Sequence, residues 1–321
     1  MLISSVTPFL FYIALKIKFK NSDKNILLLL SSIIFFIPAF RYSAIWANDH
    51  ITSGLFFLAS LIFYLKWEEK KKNSFDIKIF LQILFMALAA YSRQYYAMFF
   101  IFFLIKYFNQ LNFKDFLLSA FLSFVLSLPG FFYLLKFPAL LIGLKFSSNF
   151  ANIFLANTSM LSIYIFPVLF INILSNNLFL KNTKKFLINI SLLSILFTII
   201  LSQKFIPTSQ FGYGIVYKLS SILTNNNLLF LLSSAISIFF IFYTSKENNY
   251  NSLLSILLIF GFSGSILFQK YFEPMFLVMF FLMFRSNLTL VFENNLKNTS
   301  ILFFYYVLYT FIAVTDLIYK I

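Results

Sequence analysis

From Phe186 to Ser202 the chain runs for seventeen residues without a single charge. That is close to the ~20 apolar residues needed to cross ~30 Å of hydrocarbon, and similar runs recur from one end of the sequence to the other. In lipid such a run satisfies its backbone hydrogen bonds only as a helix, because the alternative, a closed β-barrel, requires an apolar/polar alternation that the sequence lacks. The composition agrees: 61% of residues are hydrophobic, 11% are charged and the mean hydropathy is +0.89, whereas a soluble domain is roughly one-quarter charged. The reading is therefore all-α, a polytopic transmembrane helical bundle of about 12 helices forming a single transmembrane domain over residues 1–321. The 50 Phe residues, with abundant Asn, Lys, Ile and Ser, look like the signature of an AT-rich coding genome. With no cysteine, disulfides and thiolate metal sites are excluded.

The apolar runs predict helices near Leu2 to Lys16, Ile26 to Ala47, Thr52 to Leu65, Ile77 to Ala90, Tyr95 to Phe108, Phe116 to Leu135, Ser159 to Ile173 and Phe186 to Ser202. Four more are expected near Leu228 to Tyr243, Leu253 to Phe268, Met275 to Phe284 and Ser300 to Leu317. Alternating the loops between two sides puts 17 of the 25 basic residues on one side, Lys16, Lys66, Lys78, Lys106, Lys184 and Arg285 among them, and 8 on the other. By the positive-inside rule the richer side is cytoplasmic, so both termini lie outside. The net charge of +15 thus reports topology and not a nucleic-acid partner. The cytoplasmic stretch from Trp67 to Asp76 reads as a solvated connector. Lys136 to Thr158 and Gln203 to Asn227 read as the two longest outer loops, the second holding Pro207, Gly212 and Gly214.

Only three carboxylates, Asp49, Glu273 and Asp316, fall on the outer side. Asp49 is expected at the crest of a tight turn between two apolar segments, in the stretch Arg41-Tyr-Ser-Ala-Ile-Trp-Ala-Asn-Asp49, beside the sole histidine, His50. A carboxylate there can serve as general base or ligate a hard divalent cation, Mg or Mn, while Tyr42 and Trp46 offer a face on which a sugar can stack. The same residues also suit an interfacial turn with its Trp in the aromatic belt. A second group, Ser92-Arg93-Gln94-Tyr95-Tyr96, carries one of two outer arginines; the other is Arg41. A planar guanidinium suits phosphate, and it equally suits snorkelling at the interface. The third, Gln269-Lys270-Tyr271-Phe272-Glu273-Pro274, sets a cation, a phenol and a carboxylate before a helix beginning at or after proline. No phosphate loop, dinucleotide glycine pattern, zinc-binding histidine pair or arginine ladder is present, and the helix centres are nearly free of charge.

These stretches together, Phe40-Arg41-Tyr42 through Asp49, then Tyr91-Ser92-Arg93-Gln94, then Lys270 to Pro274, resemble the C-type glycosyltransferases. Those are multi-helix enzymes that move a sugar from a polyprenyl-phosphate donor on the outer membrane face. The resemblance is best over Ile26 to Phe108. It implies a bacterial inner-membrane enzyme whose partners are the bilayer, a polyprenyl-phosphate-linked sugar and a glycan, lipid or protein acceptor. Asp49 with His50 would form the catalytic centre, with a divalent cation optional. Arg93, Lys270 and Arg41 would hold the donor phosphate, and Tyr42, Trp46, Gln94, Tyr271 and Glu273 would line the substrate site. The family's principal acidic residue follows a first helix that has no counterpart ahead of Leu2, so one further helix and loop are expected upstream, and residues 1–321 alone are expected to transfer little sugar. A polysaccharide flippase or other transporter, an O-antigen-type polymerase and a non-catalytic membrane subunit remain open alternatives.

Overall fold

The structure, a computed structural model, describes residues 2–45, 49–70, 73–137, 150–178, 183–206, 213–224, 226–261 and 269–318, and every regular element among them is a helix. In chain order these are α1 Leu2–Lys18, α2 Lys24–Ser32, α3 Pro38–Ile45, α4 Asp49–Glu69, α5 Ile77–Ser92, α6 Phe99–Gln110 and α7 Phe113–Lys136. They continue as α8 Phe150–Leu174, α9 Lys184–Ser202, α10 Gly214–Thr224, α11 Leu228–Glu247 and α12 Asn249–Phe260, then α13 Met275–Leu282, α14 Leu290–Glu293 and α15 Leu296–Ile318. Side-chain caps fix several starts: the Asp76 carboxylate accepts from Lys78 N and Ile79 N, Asn112 from Asp115 N, and Thr183 from Phe186 N, each satisfying a backbone donor the helix leaves free.

Five of these helices, within Asp49–Glu68, Phe113–Tyr133, Phe150–Leu174, Lys184–Ser202 and Leu228–Glu247, are long and apolar enough to cross a membrane. The number reaches seven if the bent pairs Lys24–Phe36 with Pro38–Ile45 and Gln269–Leu282 with Asn287–Glu293 each count as one span. The expected dozen is not reached by length, because α5 has 16 residues and α6 and α12 have 12 each. A membrane environment also explains α7, along which Phe113, Phe121, Phe124, Phe131 and Phe132 are all more than half exposed. In water a patch of that kind is an aggregation surface; facing lipid it is stable.

The helices group into two compact units, residues 1–143 with 306–321, and residues 144–305. In the first unit most of the described lysines gather at one end of the helices, Lys136 at the far end of α7 being the exception. Lys20 at the end of α1 pairs with Glu69 at the end of α4, Lys78 Nζ donates to Lys66 O at 2.8 Å, and Phe75 N donates to Asp115 Oδ2 at 3.0 Å. Asp49 and Arg93 lie at the opposite ends of α4 and α5. Within the stretch from Trp67 to Asp76, Glu69, Lys70, Asn73 and Ser74 are exposed, as expected of a solvated connector. Helix α4 continues to Glu69, Trp67 is buried, and Lys106 on α6 is 1% exposed, with Nζ 3.8 Å from Glu68 and 5.9 Å from the Phe102 ring centroid. The stem is buried while the ammonium faces a carboxylate and an aromatic ring, the kinds of partner a buried cation requires. Deeper between α4, α5 and α6, Tyr107 donates to Gln82 Oε1 at 2.8 Å and Gln82 Nε2 to Ser60 Oγ at 3.1 Å.

The second unit is built around α8, which is buried along most of its 25 residues. Its first nine residues were expected in an outer loop, since Asn152, Asn157 and Thr158 interrupt the apolar run. The helix absorbs them because each side chain donates to a backbone carbonyl: Asn152 Nδ2 to Ile206 O, Asn157 Nδ2 to Ile259 O and Thr158 Oγ1 to Phe154 O. Buried amides so satisfied tie neighbouring segments to α8 where water is absent. The other expected outer loop likewise contains a helix, α10, while Pro207 and Gly212 lie outside the described residues. Helix α13 is shorter than the expected span and buried on every side, from Met275 to Leu282. The chain bends by 100° between it and the Asn287–Glu293 segment.

Candidate functional site

Local chemistry places the first group of side chains. Pro38, whose ring fixes φ and whose missing N–H costs a helix nothing in its first turn, opens α3. A 3-10 turn over Ile33–Phe36 precedes it, and the two segments meet at 65°. The run expected as one helix from Ile26 to Ala47 is therefore broken. The bend leaves Arg41 and Tyr42 exposed on α3, and Arg41 makes no ion pair among the described residues. Trp46, expected to help stack a sugar, lies outside the described residues.

Asp49 is the first residue of α4, where the helix dipole favours a carboxylate. Arg93 ends α5: its N–H donates to Ala89 O at 2.8 Å and its backbone turns extended, so the side chain leaves the helix end. The Arg93 guanidinium donates to Asp49 Oδ1 across 44 residues of sequence, with side-chain exposures of 28% and 52% respectively. Next to this pair, His50 Nδ1 lies 3.2 Å from the Tyr95 hydroxyl, and the 3-10 turn Gln94–Met98 packs the Tyr96 ring 4.9 Å from that of Phe57. Four of the ten candidate residues, Asp49, His50, Arg93 and Gln94, thus sit at one end of α4 and α5. Tyr95 completes the group; the sequence offered it only as part of an aromatic pair after Arg93.

Lys270, Tyr271 and Glu273 belong to the second unit. Gln269–Tyr271 forms a 3-10 turn ahead of α13, with Lys270 and Tyr271 half-buried. Glu273 is 7% exposed and accepts a hydrogen bond from the Tyr164 hydroxyl of α8. Gln269 Nε2 donates to the same hydroxyl at 2.9 Å and to Met160 O at 3.2 Å, and its Oε1 accepts from Ile215 N at 3.4 Å. Gly214 makes room for this amide: its φ is +83°, and a Cβ there would run into Met160 Cγ and Gln269 Oε1. Sequence reasoning missed Tyr164 and Gly214 as site residues, Gly214 carrying only the signal of a glycine in an expected loop, and it offered Gln269 only as the first residue of the third group. Asp49 and Glu273 fall in different units.

Asp49 was also the candidate ligand for Mg or Mn. Among the described residues no three His, Cys, Asp or Glu side chains gather as a cation would require. The nearest charged partner of Asp49 is a guanidinium, which does not fit a hard-cation site needing several oxygen ligands. What the arrangement can do is exchange. A half-exposed ion pair contributes only ~0–1 kcal/mol, so an incoming phosphate can take the Arg93 fork, bidentate and charge-assisted, and release the carboxylate. No protein-family model, no curated protein and no solved structure matches this chain.

Proposed function

We propose that the protein is a membrane-embedded glycosyltransferase, or a close relative of one, a bundle of about twelve helices in a bacterial inner membrane. It transfers a sugar from a polyprenyl-phosphate donor to an acceptor on the outer face, in the making of cell-envelope glycan or glycolipid. The observation that carries this reading is the Asp49–Arg93 pair at the end of α4 and α5 opposite the lysines. It sets a general base beside a phosphate receptor on the face that the positive-inside rule assigns to the exterior. The donor phosphate displaces Asp49 from Arg93, with Arg41 close by in sequence as a second cation. Asp49 takes the proton of the acceptor hydroxyl, whose oxygen bonds the anomeric carbon as the carbon–oxygen bond to the polyprenyl phosphate breaks. The phosphate leaves with the electron pair, its charge met by Arg93, and the anomeric centre inverts. His50, held against Tyr95, positions the start of α4.

The test uses the protein in proteoliposomes with a polyprenyl-phosphate sugar, reading donor binding and sugar transfer separately. Arg93→Ala weakens donor binding, and Asp49→Asn leaves binding intact while lowering transfer about 10²–10⁴-fold, the usual worth of a positioned base. Unchanged binding in the first and unchanged transfer in the second would refute the assignment. The buried Glu273 beneath Tyr164, next to a chain bent by 100°, favours a transporter as second reading, since ionisable groups inside a membrane domain often mark a transport path. Translocation of the lipid-linked sugar without transfer, abolished by Glu273→Gln, would select it.

A further inference from the structure

The first unit contains a groove of about 370 Å³ between α1 and α2, walled by Pro8, Phe9 and Tyr12 on one side and Leu28 and Phe35 on the other, with Lys24 at one end. We propose that it holds one acyl chain of an anionic phospholipid whose phosphate sits at Lys24.

Three observations carry this. First, the wall is almost purely apolar in what it offers a ligand. Ser5, Ser31 and Ser32 border the groove, and the hydroxyls of Ser31 and Ser32 donate to Leu28 O and Leu29 O of their own helix, at 2.9 and 2.8 Å. Phe9, Leu28 and Phe35 are left exposed, so the complementary surface is hydrocarbon. Second, the dimensions fit one leaflet. From Lys24 to Phe35 the wall advances eleven residues, roughly 17 Å at the rise of a helix, which is about half of the ~30 Å hydrocarbon thickness. Third, the charge lies at the end where a headgroup would be. Lys24 is exposed and makes no ion pair among the described residues, whereas nearby Lys20 is committed to Glu69. Asp23 spends its carboxylate capping Asn25 N at 2.6 Å, so the ammonium of Lys24, the cation that lines the groove, is open to an anion. This is the lysine-rich end of the unit, cytoplasmic by the positive-inside rule, where anionic lipids attract basic side chains by ~1 kcal/mol each, about fivefold in affinity. The occupant belongs to that leaflet and is separate from a polyprenyl phosphate reacting at Asp49.

The test is native mass spectrometry of the full chain released from bilayers holding phosphatidylglycerol and phosphatidylcholine in equal amounts. Wild type retains phosphatidylglycerol in preference. Lys24→Gln lowers that preference about fivefold, Lys114→Gln, an exposed lysine elsewhere at the same end, leaves it unchanged, and Leu28→Trp, which fills the groove, lowers retention of both lipids. Equal retention of the two lipids by wild type would overturn the proposal, as would equal losses from Lys24→Gln and Lys114→Gln. Displacement of phosphatidylglycerol by equimolar undecaprenyl phosphate, abolished by Lys24→Gln, would overturn the choice of occupant.

Discussion

The contact between Tyr164 and Glu273 can be measured by a double-mutant cycle. The Tyr164 hydroxyl donates to Glu273 and accepts from Gln269 Nε2, while Gln269 keeps Met160 O as a second acceptor. Tyr164→Phe therefore strands Glu273 without that donor and leaves Gln269 largely satisfied. Hydrogen bonds to charged groups contribute ~1.5–3 kcal/mol net, whereas hydrogen-bond cycles in a helical membrane protein reach ~1.7 kcal/mol at most because the unfolded chain in lipid also finds partners. We expect each single substitution, Tyr164→Phe or Glu273→Gln, to cost about 2 kcal/mol and the pair to fall short of additivity by about 1.5 kcal/mol. Denaturant titration in mild micelles, followed by circular dichroism, reads all four proteins; Trp fluorescence would not serve, because the two tryptophans, Trp46 and Trp67, both lie in the first unit. Additivity within ~0.5 kcal/mol is the signature of independent sites. It would refute the contact and remove the support that Glu273 gives to a transport path.

Gly214→Ala should destabilise the second unit by about 3 kcal/mol in the same titration, combining ~1–3 kcal/mol for a side chain at positive φ with the clash against Met160 and Gln269; a neutral result would mean that α10 does not begin where it is drawn. The Glu69 carboxyl is held below its ordinary 4.5 by the hydrogen bond and charge of Lys20. A depressed folded pKa contributes stability above 4.5 that is lost as pH falls below it, so wild type should lose an increment of thermal stability there that Lys20→Gln does not, and identical pH profiles would dismiss the pair. Because the chain has no cysteine, single cysteines report topology directly. Gln94→Cys should react with an impermeant maleimide on intact cells and Lys114→Cys only after the membrane is opened, and the reverse pattern would invert the orientation.

How much of the fold the sequence revealed depends on what each residue type costs in lipid. The uncharged runs are unmistakable, because a polar backbone in hydrocarbon leaves the helix as the only solution for such a segment, and α7, α9 and α11 follow their runs within a few residues. The start of α8 was not legible for the opposite reason. Asn152 and Asn157 are expensive in lipid when unpaired and inexpensive when paired, and their partners, Ile206 and Ile259, are 54 and 102 residues away. The break at Ile37–Pro38 had a visible cause in the proline, yet nothing in the run announced the 3-10 turn or the 65° angle.

The same reasoning applies to the candidate site. Asp49 and Arg93 stood out because outer charges are few, and their meeting depends on α4 and α5 packing as an antiparallel hairpin, α4 ending at Glu69 and α5 beginning at Ile77. The arms have 21 and 16 residues, and the extended backbone and long side chain at Arg93 help it reach Asp49, so alternating topology contained the pairing in outline. Tyr164 had no such signal, being one tyrosine of 18 in a helix without charge. Its role exists only because the turn at Gln269–Tyr271 buries Glu273 beside it, and burial of a carboxylate is decided by the partner that can satisfy it. In a chain with ten acidic residues, the charges most costly to bury are therefore the ones whose surroundings carry most information, and those surroundings are distributed over helices far apart in sequence.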